Sequence, residues 1–324
     1  MRKVLALVLF VLVVIPGLAW GQAKTGTAGA QFLELGVSAR AVGMGNAFLA
    51  IADDASAIYY NPAGLPQLVQ REIILTHVDY PADITYDFGG LAYPMRGFGG
   101  VLGLGFYFLN SGDMDYTTYA HPSLGSEWSS GQTFSAKEYA VALSYGRYLT
   151  QRFSIGATMK FIDELYEEER AVGWAADIGT LYNTGFKNFK IGMVMTNFGP
   201  DLKFLRDSYP LPISFKFGAS MEVLNFGEHK TVVDFEIGHP NDNLEKFNGG
   251  IEYWYKDLIT LRIGDEFGYD MGETTIGKEG VGNISFGAGI KLPLYNKTKL
   301  RVDYGYLDYG HLDQVHRFTL NLSF

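Results

Sequence analysis

Residues 152–161, Arg-Phe-Ser-Ile-Gly-Ala-Thr-Met-Lys-Phe, decide the fold. Phe153, Ile155, Ala157, Met159 and Phe161 alternate with Arg152, Ser154, Gly156, Thr158 and Lys160, so an extended chain separates apolar from polar side chains. About ten residues is the length a tilted strand needs to cross a bilayer. The pattern recurs at 211–221, where Ser214, Lys216 and Ser220 oppose an apolar face, and at 299–306, where Lys299, Arg301 and Asp303 oppose Leu300, Val302, Tyr304 and Tyr306.

Extending outward from these segments gives about fourteen strands, at 71–80, 85–94, 98–109, 137–149, 152–163, 171–183, 187–198, 211–221, 229–238, 246–255, 257–265, 281–291, 298–307 and 315–324. Strand two carries a switch of apolar parity near Gly89-Gly90, as a bulge would. The connections alternate in length. With the N-terminus on the periplasmic side, the turns 95–97, 150–151, 183–187 and 255–257 are short, whereas 110–136, 164–170, 199–210 and 266–280 are longer. Short periplasmic turns with long outer loops are the habit of outer-membrane barrels, so the fold expected is a transmembrane antiparallel β-barrel. Its polar face puts Lys160, Lys190, Asp234, Glu236, Arg262, Arg301, Asp303 and Arg317 in the lumen.

Composition agrees. The chain has 21 Tyr, 23 Phe and 40 Gly in 324 residues with 19% charged residues, which suits a lipid-facing wall better than a water-facing one. No stretch approaches the roughly twenty uninterrupted apolar residues of a spanning helix. A net charge of −9 without a basic aromatic patch argues against nucleic acid, and the absence of Cys removes thiolate metal sites and thiol nucleophiles. His77, His121, His229, His239, His311 and His316 form no ligand pair of metalloenzyme spacing, and no G-x-S-x-G elbow occurs. No enzyme activity and no cofactor are expected.

At the start, Arg2-Lys3, the apolar run Val4–Ile15 and the Pro16-Gly17 break read as an export signal over residues 1–23, followed by a plug over 24–70 and the barrel over 71–324. The alternating final strand ends on Phe324, resembling the signal that barrel assembly machinery reads in the outer membrane of Gram-negative bacteria. That machinery, and outer-membrane lipid with its lipopolysaccharide, are the expected partners.

The stretch from Gly29 to Leu68 is different in kind. Its residues are small and its spacing helical rather than alternating, with Gly43 and Gly45 in a tight turn, Asp53-Asp54 able to cap a short helix through Tyr59-Tyr60, and Asn61-Pro62-Ala63-Gly64 ending it. Compact helices of this kind fit inside a barrel, where Gly103 and Gly105 mark thin places in the wall. Gly43-Met44-Gly45 is no dinucleotide loop, because Phe48 occupies the third glycine position.

Here the sequence resembles a family. Gln31–Gly36, Ser38–Ala41, Gly43–Gly45, Ala52–Ala57 and Tyr60–Leu65 look like the N-terminal signature of PorV/PorQ-type outer-membrane proteins, related to FadL-type channels, which share a D-D-A-S followed by N-P-A-G. The resemblance implies fourteen strands around an N-terminal hatch, with Gly43, Gly45, Asp53, Asp54, Asn61, Pro62 and Gly64 as hatch or gating residues. It also implies binding or passive transport of hydrophobic small molecules or, alternatively, a type IX secretion component that binds the C-terminal signal domains of secreted cargo proteins. In the long loop 110–136, Met114, Tyr116, Tyr119, Trp128 and Phe134 are the candidates for contact with a ligand or partner. Glu164, Glu167, Glu168 and Glu169 read as a solvated acidic loop tip.

Overall fold

The structure is a computed structural model that describes residues 26–95, 97, 99–117, 129–268, 283–308 and 314–324. The segment read as an export signal lies outside the described residues. Fourteen strands close into an antiparallel barrel. They are β1 (Glu72–Asp79), β2 (Thr85–Met95), β3 (Gly100–Asn110), β6 (Ala136–Tyr148), β7 (Phe153–Tyr166), β8 (Glu169–Asn183), β9 (Lys190–Phe198), β12 (Ser214–Phe226), β13 (His229–Pro240), β14 (Lys246–Tyr255), β15 (Ile259–Phe267), β16 (Asn283–Pro293), β17 (Lys299–Asp308) and β18 (Gln314–Ser323). Each pairs with its neighbours in sequence, and β18 closes the ring on β1 from Glu72 opposite Ser323 to Asp79 opposite His316. Two small hairpins stand on the long-loop end: β4 (Met114–Thr117) with β5 (Ser129–Phe134), and β10 (Leu202–Phe204) with β11 (Asp207–Tyr209).

Alternation works as the sequence implies. On β7, Ser154, Thr158 and Lys160 are buried in the lumen, whereas Met159 and Phe161 face outward at about half exposure. An apolar exterior and a polar interior fit a wall that meets lipid outside. No helix among the described residues is long and apolar enough to cross a membrane.

Four expectations need correction. The acidic loop 164–170 is not a loop: β7 and β8 continue through it to a two-residue turn at Glu167-Glu168, with Glu167 at φ 58°. Strand two has no bulge, since β2 keeps unbroken register with β1 and β3 through Gly89 and Gly90. The segment 211–221 becomes strand only at Ser214, because Ile213 N–H donates back to the Leu211 carbonyl and Pro212 has no N–H to offer. Finally, the described chain begins at the long-loop end of the barrel, where Gly29 N–H donates to the Pro210 carbonyl, and not at the short-turn end.

Candidate functional site

From Gly29 the chain runs down the inside of the barrel and leaves at the short-turn end, where Gln67 meets Lys190 and Gln70 meets the Lys297 carbonyl. Its helices are shorter than the spacing suggested. A 3-10 turn spans Gln31–Glu34, single α-turns span Ala39–Val42 and Ala57–Tyr60, and a second 3-10 segment spans Pro62–Gln67. Most of Gly36 to Ala50 is therefore not helical, because Gly43, Gly45 and Asn46 interrupt any helix: Gly45 and Asn46 sit at φ 63° and 57°.

The wall is cut to receive this plug. A Cβ on Gly156 would lie 2.2 Å from the Pro62 carbonyl carbon, one on Gly179 2.1 Å from Asn61 Oδ1, and one on Gly264 2.0 Å from the Met44 carbonyl carbon. Gly103 and Gly105 lie under Ile58, Gly192 and Gly218 under Leu49, and Gly305 under Ala39. Wall glycines thus ring the lumen where plug backbone presses on strand backbone, and any larger residue would have to displace the plug.

Of the expected hatch residues, Gly43, Gly45, Asn61 and Pro62 touch the wall, whereas Gly64 and Asp53 contact other residues of the plug. Gly43 sits against Gly287, close enough that a Cβ would be 2.8 Å from its Cα, and the Gly45 N–H donates to Ser285 Oγ at 2.9 Å. Asn61 caps the Pro62–Gln67 turn by accepting from Ala63 N, and its amide donates to the Leu49 and Thr180 carbonyls. The Pro62 carbonyl region fills the space above Gly146 and Gly156, and Gly64 packs on Ala52. Asp54 accepts from both the N–H and the hydroxyl of Ser56, so it organises the start of the Ala57–Tyr60 turn as a cap would.

Asp53 and Asp54 also belong to a charge network centred on a residue that had no assigned role. Arg40 makes a two-pronged contact with Glu252 on β14, at 2.7 and 2.9 Å, and reaches Asp53 at 2.5 Å and Asp54 at 3.3 Å. From the wall, Arg262 holds Glu252 and Asp303, and Arg301 bridges Asp303 to Asp54 at 2.7 and 2.5 Å. Three guanidinium groups thus share four carboxylates. Phe48 and Trp254 lie 5.0 and 5.8 Å from the Arg40 guanidinium carbon and shield it further. One signal was available in the sequence: Arg40 is the only basic residue between Gly29 and Leu68. Its acceptors could not be named without the register of the wall.

Of the luminal charges expected, Lys160 pairs with Asp177 at 2.8 Å and Lys216 with Glu236 at 3.5 Å. Between the plug and the wall, Phe48, Tyr59 and Tyr60 of the plug pack with Tyr86 and Phe88 of β2 and Tyr107 of β3 in a buried aromatic cluster. In the long loop, Met114 stands opposite Phe134 across the β4–β5 hairpin, and Tyr116 packs on Phe134 at 4.9 Å, whereas Tyr119 and Trp128 lie outside the described residues. Two cavities flank the plug. One of about 40 Å³ lies beside Glu34, Tyr59, Lys160 and Glu236, and one of about 330 Å³ opens at the short-turn end beside Arg40, Asp53, Gln67 and Arg301. Both are polar, so neither is shaped for an apolar ligand.

No protein-family model matches the sequence. A protein of Neisseria meningitidis serogroup B, described as a putative outer membrane protein, is 38% identical over 91 residues, 26% of this chain and 19% of that protein. The match thus spans about a fifth of the length of that relative. Solved structures share the fold over most of the chain. The toluene transporter TbuX of Ralstonia pickettii aligns at TM-score 0.61 and 13% identity, over 89% of this chain and 97% of that one. The monoaromatic hydrocarbon channel CymD aligns at 0.57 and 12%, over 89% and 96%, and a FadL homologue of Pseudomonas aeruginosa at 0.58 and 10%, over 89% and 98%. The protein is an outer-membrane β-barrel with the fold of FadL-like channels.

Proposed function

We propose that the protein binds or passively passes hydrophobic small molecules across the outer membrane as a plugged channel of the PorV/FadL kind. The observation that carries this reading is the aromatic cluster formed by Phe48, Tyr59 and Tyr60 of the plug with Tyr86, Phe88 and Tyr107 of the wall. These rings are packed and buried, so an apolar molecule would gain their faces where the cluster parts. The PorV/PorQ-like residues 31–65 supply the plug side of that cluster, and the fold is shared with hydrocarbon channels.

Uptake of a labelled monoaromatic hydrocarbon and of a labelled long-chain fatty acid, by cells with and without the gene, tests this reading. Slower uptake of either in the deletion strain, restored by the full chain, is expected; equal rates for both would sink it. A second reading, a type IX component that receives secreted cargo, is favoured by the exposed Leu205 and Tyr209 on the β10–β11 hairpin. Recovery of a secreted protein through its C-terminal signal domain, lost when both side chains are changed to Ser, would select it.

A further inference from the structure

The apolar outer wall is uneven in height. On β7 the outward face runs from Phe153 through Met159 and Phe161 before its first charge at Asp163, and on β8 from Tyr182 through Trp174 and Val172 before Arg170. Ten residues at about 3.3 Å rise and a tilt near 40° give roughly 25 Å, the height of the apolar band of such barrels. On the β1 side the outward positions are Arg71 at the short-turn end, then Ile73, Leu75, His77 and Asp79. From one charge to the next polar group is six residues, or roughly 15 Å by the same rise and tilt.

The neighbours agree. On β18 the outward Leu322, Leu320 and Phe318 give way to His316, and on β2 Tyr93, Leu91 and Gly89 give way to Asp87. The facing is fixed from inside: the Thr76 and Thr319 hydroxyls meet at 2.8 Å in the lumen, so His77 and Phe318 point out. The side chains of His77, Asp79 and Asp87 are 51%, 65% and 46% exposed. They bind one another, His77 Nδ1 to Asp87 at 2.6 Å and Nε2 to Asp79 at 3.2 Å, and His316 Nδ1 meets the Tyr304 hydroxyl at 2.8 Å. Tyr304 and Tyr306 pack on His316 and Phe318 packs on Tyr304, an aromatic group of the kind that marks the edge of the hydrocarbon layer. The wall ends here because the β1–β2 connection is tight, with Tyr80 N–H donating to the Ile84 carbonyl.

Leaving ionised groups in hydrocarbon costs more than deforming the bilayer, whose thickness adjusts at a modest cost per ångström. We propose that the sector formed by β18, β1 and β2 draws down the outer leaflet, so that polar head groups of its lipid reach His77, Asp87 and His316 and the bilayer is about 10 Å thinner here than over β7 and β8. Lipid head groups fit better than a second copy of the chain, since two such sectors face to face would bring Asp79 and Asp87 of both copies together.

The chain has no cysteine, so single thiols can report the boundary. His77→Cys and His316→Cys are compared with Met159→Cys and Ile178→Cys, which face out at mid-height on β7 and β8, each in the full chain and each checked for the folded barrel by heat-dependent gel mobility. With a bulky membrane-impermeant maleimide, the first pair labels at least tenfold faster than the second, both in intact cells and in vesicles holding the purified protein and lipid alone. Equal, background labelling of both pairs in the vesicles overturns the proposal. Labelling of the first pair in vesicles but protection in cells also overturns it, because a second membrane protein, and not lipid, would then cover the sector.

Discussion

Against β14 to β18 and β1 the plug is held by charge as well as by close backbone contact, with Gly264 against Met44 and Gly305 against Ala39, whereas against β3 to β12 it is held mainly by shape. On the first side Arg40 binds Glu252, Arg301 binds Asp54, Ala39 N–H donates to Thr319, and Ala55 N–H donates to Glu72. On the second side Ile58 lies over Gly103 and Gly105, the Pro62 backbone over Gly146 and Gly156, and Leu49 over Gly192 and Gly218, with neutral hydrogen bonds such as Ser154 Oγ to the Ala63 carbonyl at 2.7 Å. The two kinds of contact fail differently. A buried charge network loses much at once when one member goes, because the remaining charges are stranded, whereas a packed apolar contact loses in proportion to the atoms removed. Any loosening of the plug should therefore start on the β3 to β12 side and pivot on the Arg40 side.

The sharpest break of this contrast is Arg40→Leu, which leaves four carboxylates to two guanidinium groups, with Glu252 held by Arg262 alone, Asp54 by Arg301 alone, and Asp53 without its Arg40 contact. It should destabilise the folded barrel by about 3–5 kcal/mol in urea titrations in lipid vesicles; a loss under about 1 kcal/mol would mean that charge does not anchor the plug. Ile58→Ala on the other side should cost about 2–4 kcal/mol in the same titration, by the methylenes removed and the cavity left over Gly103 and Gly105. Less than half of that would show that the wall relaxes onto the plug. Smallest is Asp53→Asn. The Asp53 side chain is 39% exposed, and Arg40 keeps Glu252 and Asp54, so a change below about 1 kcal/mol is expected. A larger loss would place Asp53 among the anchors.

The barrel was legible in sequence because lipid outside and polar lumen inside impose period two on each strand, as in residues 152–161. The signal fails where that contrast ends. At the tip of the β7–β8 hairpin the alternation is lost, since the inward Glu164 is acidic yet buried and Glu167 to Arg170 are exposed, so Glu164 to Arg170 looks like loop although it is ladder. The plug was recognisable by composition and by motif, but its internal turns were over-read as helix, because small residues serve helix packing and close backbone contact alike. Gly103 and Gly105 were rightly read as thin places, since a glycine inside a strand asks for a neighbour. Arg40 could be seen but not assigned, because Glu252 lies 212 residues away and only closure of the ring makes them neighbours.

The direction in which the plug runs has a topological consequence. Residues 29–31 are tied to the outer loops through Pro210 and Asp242, and Gln67 is tied to Lys190 near the opposite mouth, so the chain is threaded through its own ring. Withdrawing the plug towards the periplasm would require drawing residues 29–31 through the whole lumen, past the wall glycines. A thread anchored at both mouths can slacken or bow sideways, but it cannot swing out like a door, and any passage that opens must run alongside it.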